Sequence, residues 1–379
     1  MTGKHSPSGP AVDRINPRAA PWRTPKWGTI AFLTVGALLL PWVLLRFGAG
    51  NFIVHMFIMF FLWSVVAQSW NLVLGVSGIY SFAQMALFAV GGWVTGVLSM
   101  SFGWNPWASL LLAPIVATAA ALLIGLPSLR LRGVYVVLLT LAFHELLRNY
   151  VTTGPRVISG GGYGLIGVPR LNFGPLARIS HLLPSYYVAL LFFALATFAI
   201  WWIFHSPVGA AFSALRDSEG YAIGRGVNQF RIKLFLFGFS AFFTGLAGGL
   251  MTHYLGSISQ SIFAFSVLIN VLAMIVIGGW GSFGGPILGT ALLLGLEEGL
   301  RDLSDFRTLA LGLTLALMAV LAPGGLWPLM RDGFQRFLEE PATSPPLEEP
   351  PVDEATAAGI GIGPPGPVDD RTFGSSTGE

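Results

Sequence analysis

Ten apolar runs, each near the length a helix needs to cross a bilayer, leave this chain few ways to fold. They lie at 28–47, 52–73, 80–100, 107–126, 133–152, 184–204, 232–254, 262–279, 284–300 and 307–326. A crossing helix takes about 20 apolar residues. Inside hydrocarbon each backbone N–H and C=O must be satisfied within the protein, so runs of this kind are helices rather than loops. Hydrophobic residues make up 54% of the chain and charged residues 10%, where soluble domains carry about 25% charged. The expected fold is an all-α, polytopic integral membrane protein of about ten transmembrane helices. A barrel is excluded, because its strands would alternate in polarity over much shorter segments. The pair 262–300 is broken by Gly278-Gly279 and Gly284-Gly285-Pro286 and ends in Glu297-Glu298. It reads either as two spans or as a re-entrant hairpin, which burial in protein permits.

Charge sets the expected orientation. Lys and Arg favour cytoplasmic segments. With the N-terminus inside, 14 of the 21 basic residues fall on the inner side, against seven outside. Residues 127–132, 205–231 and both termini are then cytoplasmic. Residues 1–27, with Lys4, Arg14, Arg18, Arg23 and Lys26, read as a basic cytoplasmic leader. No small-residue cleavage site follows the first apolar run, so it is not read as a signal peptide. Residues 28–328 form the membrane domain. Residues 329–379 read as a disordered tail, acidic and rich in Pro and Gly, whose last 43 residues hold nine acids and one base. The chain has no Cys, which excludes disulfides and thiolate chemistry.

The most polar internal loop is 205–231. Ser206-Pro207 is a helix start, a hydroxyl cap followed by Pro at the first helical position. Val208, Ala211, Phe212 and Leu215 follow at helical spacing, predicting a short helix on the membrane surface. Asp217 or Ser218 can cap a second one, with Glu219 in its first turn and Gly226 at its end. Such a segment suits a groove on a second protein, and equally an ordinary charged loop obeying the positive-inside rule. His144-Glu145 begins like a zinc-protease helix, but position 148 is Arg, so the second ligand is missing and no metal site is expected. Glu145 and Arg148 are spaced to pair on one helix face. No phosphate-binding loop occurs, so the chain is not its own ATPase. No nucleic-acid-binding motif and no catalytic cluster is visible. Glycines inside the runs (Gly91, Gly92, Gly96, Gly245, Gly248, Gly249) favour close helix packing. The breaks at Ser77-Gly78 and Gly278–Gly285 are better candidates for a transport path, since broken helices expose backbone groups and helix ends.

Six stretches, in order, resemble one family. They are NLVLGVSGIYSFAQMALFAVGGW (Asn71–Trp93), LRLRGVYVVLLTLAFHELLRN (Leu129–Asn149), GGGYGLIGVP (Gly160–Pro169), SPVGAAFSALRDSEGYAIGRGVNQFRIKL (Ser206–Leu234), GGWGSFGGPILGTALL (Gly278–Leu293) and APGGLWPL (Ala322–Leu329). Over roughly residues 50–328 the chain resembles the LivM-type permeases of branched-chain amino-acid ABC importers, a family with sister permeases for urea, short amides and other small organic solutes. The resemblance implies that 205–231 is the segment gripped by separate ATPase subunits, with Arg216, Asp217, Glu219, Ala222, Gly226 and Asn228 matching the family pattern. It implies a candidate substrate path along Ser77, Gly78, Ser81, Gln84, Gly278, Gly279 and Ser282. Tyr221, Ile223, Ile79, Ala83 and Tyr163 depart from that pattern and bear on the solute.

The resemblance also implies partners: a homologous second permease, two cytoplasmic ATPase subunits and a solute-binding protein outside. No cofactor is expected in this chain, ATP and Mg belonging to the ATPases. The setting implied is a bacterial inner membrane. A rival class, a secondary transporter or channel, needs an energy source within its own spans, and the intramembrane acids are few and near helix ends. The external segment 153–183, rich in Gly and Pro and carrying Arg156, Arg170 and Arg178, is long for a connector and is expected to shape the docking surface for the binding protein.

Overall fold

The computed structural model describes residues 50–301, apart from 132, 156–157, 159, 162 and 175–180, together with 312–313, 316–317, 324–328 and 330. Six described helices have the length and apolarity to cross a membrane. These are α1 (Gly50–Asn71), α2 (Gln84–Ser101), α3 (Pro106–Ser128), α4 (Val134–Thr153), α5 (Leu182–His205) and α8 (Gln229–Leu255). Between α5 and α8 lie two short helices, α6 (Pro207–Asp217) and α7 (Glu219–Gly224). After α8 come α9 (Phe265–Gly278) and α10 (Gly285–Gly299). A two-residue antiparallel ladder pairs β1 (Leu165–Ile166) with β2 (Ser257–Ile258), Leu165 opposite Ile258. Among the described residues the fold is all-α apart from this ladder.

The expectation of ten spans is met in part. The expected run 28–47, the leader and the tail lie outside the described residues, and 307–326 is described only at scattered positions. The run beginning at 80 starts its helix at Gln84, because Gly78, at φ +68°, turns the chain out of the preceding helix. The pair 262–300 forms helices of 14 and 15 residues. At 1.5 Å per residue each covers about 20 Å, short of the roughly 30 Å hydrocarbon core. They pack antiparallel and very closely. A Cβ on Gly278 would run into the Gly285 backbone, and one on Gly289 into the Met274 carbonyl.

α8 is the central helix, packed on α2, α3 and α1. Its glycines make that possible: Gly245 faces Gly91 and the Ala117 side chain, and Gly248 faces the Phe88 carbonyl. Small residues of this kind let helix backbones touch where lipid offers no hydrophobic gain for association. The largest core cluster joins α1, α5, α8 and α9, with Phe61 against Tyr186 (5.5 Å) and Phe193 (5.3 Å). The buried Trp70 gives its indole N–H to the Ser81 carbonyl at 2.8 Å, which holds the break after α1 against the helix that precedes it.

Candidate functional site

The loop 205–231 folds as its caps dictate. Ser206 Oγ accepts from Gly209 N at 3.3 Å, with Pro207 in the first turn. Gly209, Phe212 and Leu215 form the buried face of α6. Val208, expected on that face, is 37% exposed, since Gly209 takes the tight position against the Ile203 carbonyl. Ser218 occupies the N-cap position of α7 without a side-chain capping bond. Gly226, expected to end α7, lies beyond its last residue at φ +86°, a left-handed conformation that costs a Cβ-bearing residue about 1 kcal/mol or more. Asn228 Oδ1 accepts from Arg231 N at 3.1 Å and so caps α8.

Within this loop the residues divide into those held by the rest of the chain and those that face out. Glu219 is paired inside the chain, its Oε1 2.8 Å from Lys233 Nζ at the start of α8. Ala222 is buried against its own protein. Arg216 reaches back to the Gly75 carbonyl at 3.0 Å and to Asp217 Oδ1 at 3.1 Å. The loop presents outward Asp217 (side chain 67% exposed) together with Tyr221 (63% exposed) and Ile223 (49% exposed). Arg225 lies over the Tyr221 ring at 5.1 Å, a cation–π contact. Ile223 lines a shallow groove with Gly226, Asn228 and Phe230. Of these outward residues Asp217, Gly226 and Asn228 were among the sequence candidates for this loop, and Tyr221, Ile223, Arg225 and Phe230 were not. The signal of Tyr221 and Ile223 was present: two large apolar side chains in the most polar loop of the protein.

The path candidates fall at two places. Ser77, Gly78, Gly278, Gly279 and Ser282 come together where the two helix breaks meet. α1 continues through a π-helical turn, Leu72–Val76, and Ser77 Oγ returns to the Val73 carbonyl at 2.6 Å. Ser282 Oγ donates to the Gly279 carbonyl at 2.7 Å and accepts from Gly285 N at 3.1 Å, closing the α9–α10 turn. Asn71 bridges the breaks, its Nδ2 giving to the Ser282 carbonyl (2.8 Å) and its Oδ1 accepting from Gly281 N (2.9 Å). Trp327 packs on Gly279 and Gly284. Ser81 and Gln84 lie apart from this junction. Gln84 is buried between α2 and α8, where its amide donates to Ser240 Oγ (2.9 Å) and to Thr244 Oγ1.

The region around segment 153–183 is built differently. His253 is held between the Pro169 carbonyl (2.7 Å) and Ser109 Oγ (3.2 Å), and Gln260 Nε2 donates to the Gly161 carbonyl at 3.1 Å. These contacts seat the described part of segment 153–183 on α3 and α8, leaving Tyr163 (84%), Ile166 and Arg170 exposed. Arg156 and Arg178 lie outside the described residues. His144 Nε2 donates to the Phe263 carbonyl (3.0 Å), tying α4 to the turn before α9. Glu145 and Arg148 pair at 3.3 Å on the outward face of α4. Of the six spans α4 is the least buried, 22% of its central window against 67% for α2.

Comparison with known proteins gives this arrangement a context. The family model described as "Branched-chain amino acid transport system / permease component" matches residues 52–322. The high-affinity branched-chain amino acid transport system permease proteins LivM of Salmonella typhimurium and Escherichia coli are each 33% identical over 286 residues, 69% of this chain. The chain spans 66% of the length of those relatives. The ribose import permease protein RbsC of Haemophilus influenzae is 32% identical over 135 residues, 33% of this chain and 42% of that protein. No solved structure matches the chain. With most of its spans, both helix breaks and the loop between α5 and α8 inside the matched region, the chain belongs to the family of permease components of branched-chain amino acid transport systems.

Proposed function

We propose that this protein is the translocation subunit of an ATP-driven importer in a bacterial inner membrane, taking up branched-chain amino acids or similar small polar solutes. The observation that carries the reading is the construction of α6 and α7. The segment is braced from behind by Arg216 and by the Glu219–Lys233 pair, while Tyr221, Ile223 and Arg225 face outward. A braced aromatic and aliphatic anchor beside an arginine has the composition of an interface hot spot. It suits a groove on a cytoplasmic ATPase better than it suits water. ATP and Mg are then handled by the ATPases, and this chain performs no covalent chemistry.

The other partners follow from the surfaces left over. An ion pair on the exposed face of a span is costly against lipid. The Glu145–Arg148 face of α4 therefore suits a second, homologous permease or the aqueous path between the two. The external surface around Tyr163, Ile166 and Arg170 suits the solute-binding protein. Eight spans, with residues 28–47 and 307–326 added to the six described, the α9–α10 pair as a re-entrant hairpin and both termini inside, fit this arrangement. The solute itself is carried over from the LivM relatives, whose names specify it.

Purification of the permease with its two ATPases tests the reading. Ile223→Asp puts an unpaired charge into the proposed contact and should lower ATPase capture at least about tenfold, with uptake falling in parallel. Capture and uptake equal to those of the unaltered complex would remove α7 as the ATPase seat.

A further inference from the structure

Three distant stretches meet at the end of α1: its π turn, the α9–α10 turn, and the last turn of α6. Carbonyls of a final helical turn have no partner in their own helix. The Val73 carbonyl is taken locally, by Ser77 Oγ and by Ile79 N at 3.2 Å. The Gly75 carbonyl is taken instead by Arg216, 141 residues away, at 3.0 Å. Asp217 holds the guanidinium in plane from the other side, at Nε. A cation at a helix C-terminus is further favoured by the helix dipole.

Gly75 also touches the second break. A Cβ there would lie 2.7 Å from Gly281 Cα. A Cβ on Gly281 would in turn lie 3.1 Å from the Gly75 oxygen and 3.5 Å from Arg216 Nη1. A Cβ on Gly78 would sit 3.0 Å from Arg216 Cγ. Asn71, one turn earlier on α1, uses both ends of its amide to hold Gly281 and Ser282. The two breaks are therefore one body, and Arg216 is its attachment to α6.

We infer that Arg216 is a positioning residue that carries displacement of α6 to both helix breaks at once, with Asn71 keeping them in step. This rests on the proposed seating of the ATPases on α6 and α7. Arg is suited to the task because its planar fork holds two acceptors in fixed directions, the Gly75 carbonyl and the Asp217 carboxylate. Lys, a single point charge, can hold one of them well.

The experiment uses the reconstituted complex with its ATPases and binding protein, comparing Arg216→Ala, Arg216→Lys and Asn71→Ala with the unaltered permease. Each is made with and without Trp280→Cys, a thiol reporter beside Gly281 in a chain that has no other Cys. The expected result is unchanged ATPase capture in Asn71→Ala, which lies outside the α6–α7 seat, and in the Arg216 variants a loss of capture much smaller than the tenfold loss of Ile223→Asp. Uptake per ATP hydrolysed falls about tenfold in Arg216→Ala and Asn71→Ala, the scale of a lost charge-assisted or doubly bonded contact, and less in Arg216→Lys. The nucleotide-dependent change in labelling of the reporter thiol is lost in Arg216→Ala. Retention of both the transport ratio and the labelling response in Arg216→Ala overturns the inference. So does a loss of ATPase capture in that variant as large as that of Ile223→Asp, which would assign Arg216 to the ATPase contact itself. Failure of the underlying seat is read separately, from capture by Ile223→Asp.

Discussion

At the scale of single residues, glycine does two kinds of work here, and the sequence does not distinguish them. Gly245 and Gly248 are places where a backbone touches another backbone or a small side chain. Gly220 and Gly224 have open space around the position of a Cβ. Gly248→Val must push α8 away from the Phe88 carbonyl, and overpacking of this kind costs about 1–3 kcal/mol. A drop in the thermal midpoint of the purified permease in detergent is expected for Gly248→Val, with none for Gly220→Ala. An unchanged midpoint in the first would mean that α2 and α8 are not in contact there. Asn71 shows the same limit from the polar side. Its amide, isolated in an apolar run, marks a position needing a partner, but the partner lies 210 residues on.

At the scale of elements, α7 is held by an ion pair to the start of α8 rather than by its own length, since six residues make no stable helix alone. Lys233 and Glu219 are 16% and 32% exposed at the side chain, so the pair is partly shielded from solvent and from screening by salt. Glu219→Lys should impair uptake, because two cations then face each other. Exchanging both, Glu219→Lys with Lys233→Glu, should restore a substantial part of it. Uptake in the double variant no better than in the single one would mean that Glu219 acts on the ATPase instead. The cap at Ser206, the Pro at the start of α6 and the acid in the first turn of α7 were legible in the sequence, because capping chemistry is local; the cap at Asn228 was seen only in the structure. The face that α6 buries was not fully legible. Val208 has the right spacing, but Gly209 is the residue that can approach the α5 carbonyls.

At the scale of the whole molecule, the orientation rests on the distribution of Lys and Arg. Ser218 tests it well, being exposed, free of a capping role and set in a chain without Cys. Ser218→Cys should resist impermeant thiol reagents added to intact cells and react once the membrane is opened. Labelling from outside would invert the orientation. The same layout makes sense of the α9–α10 hairpin. Two helices too short to cross can reach the junction beside Arg216 because protein, not lipid, surrounds their glycine turn, where the exposed carbonyls of a break find donors.

The sequence by itself determined the class of protein, the position of most spans, the helix start at Ser206, and both helix breaks. These follow from hydropathy over about 20 residues and from cap and glycine chemistry over a few, which are properties of contiguous chain. Only the tertiary structure decided that the breaks join into one body, that Arg216 turns inward to it, and that Glu219 and Ala222 face their own protein while Tyr221 and Ile223 face out. Those outcomes depend on which distant carbonyl is left without a donor and which backbone comes near enough to touch. No local pattern encodes a hydrogen bond between residues 75 and 216; the packing of α1, α6 and the α9–α10 turn around Gly75 and Gly281 creates it.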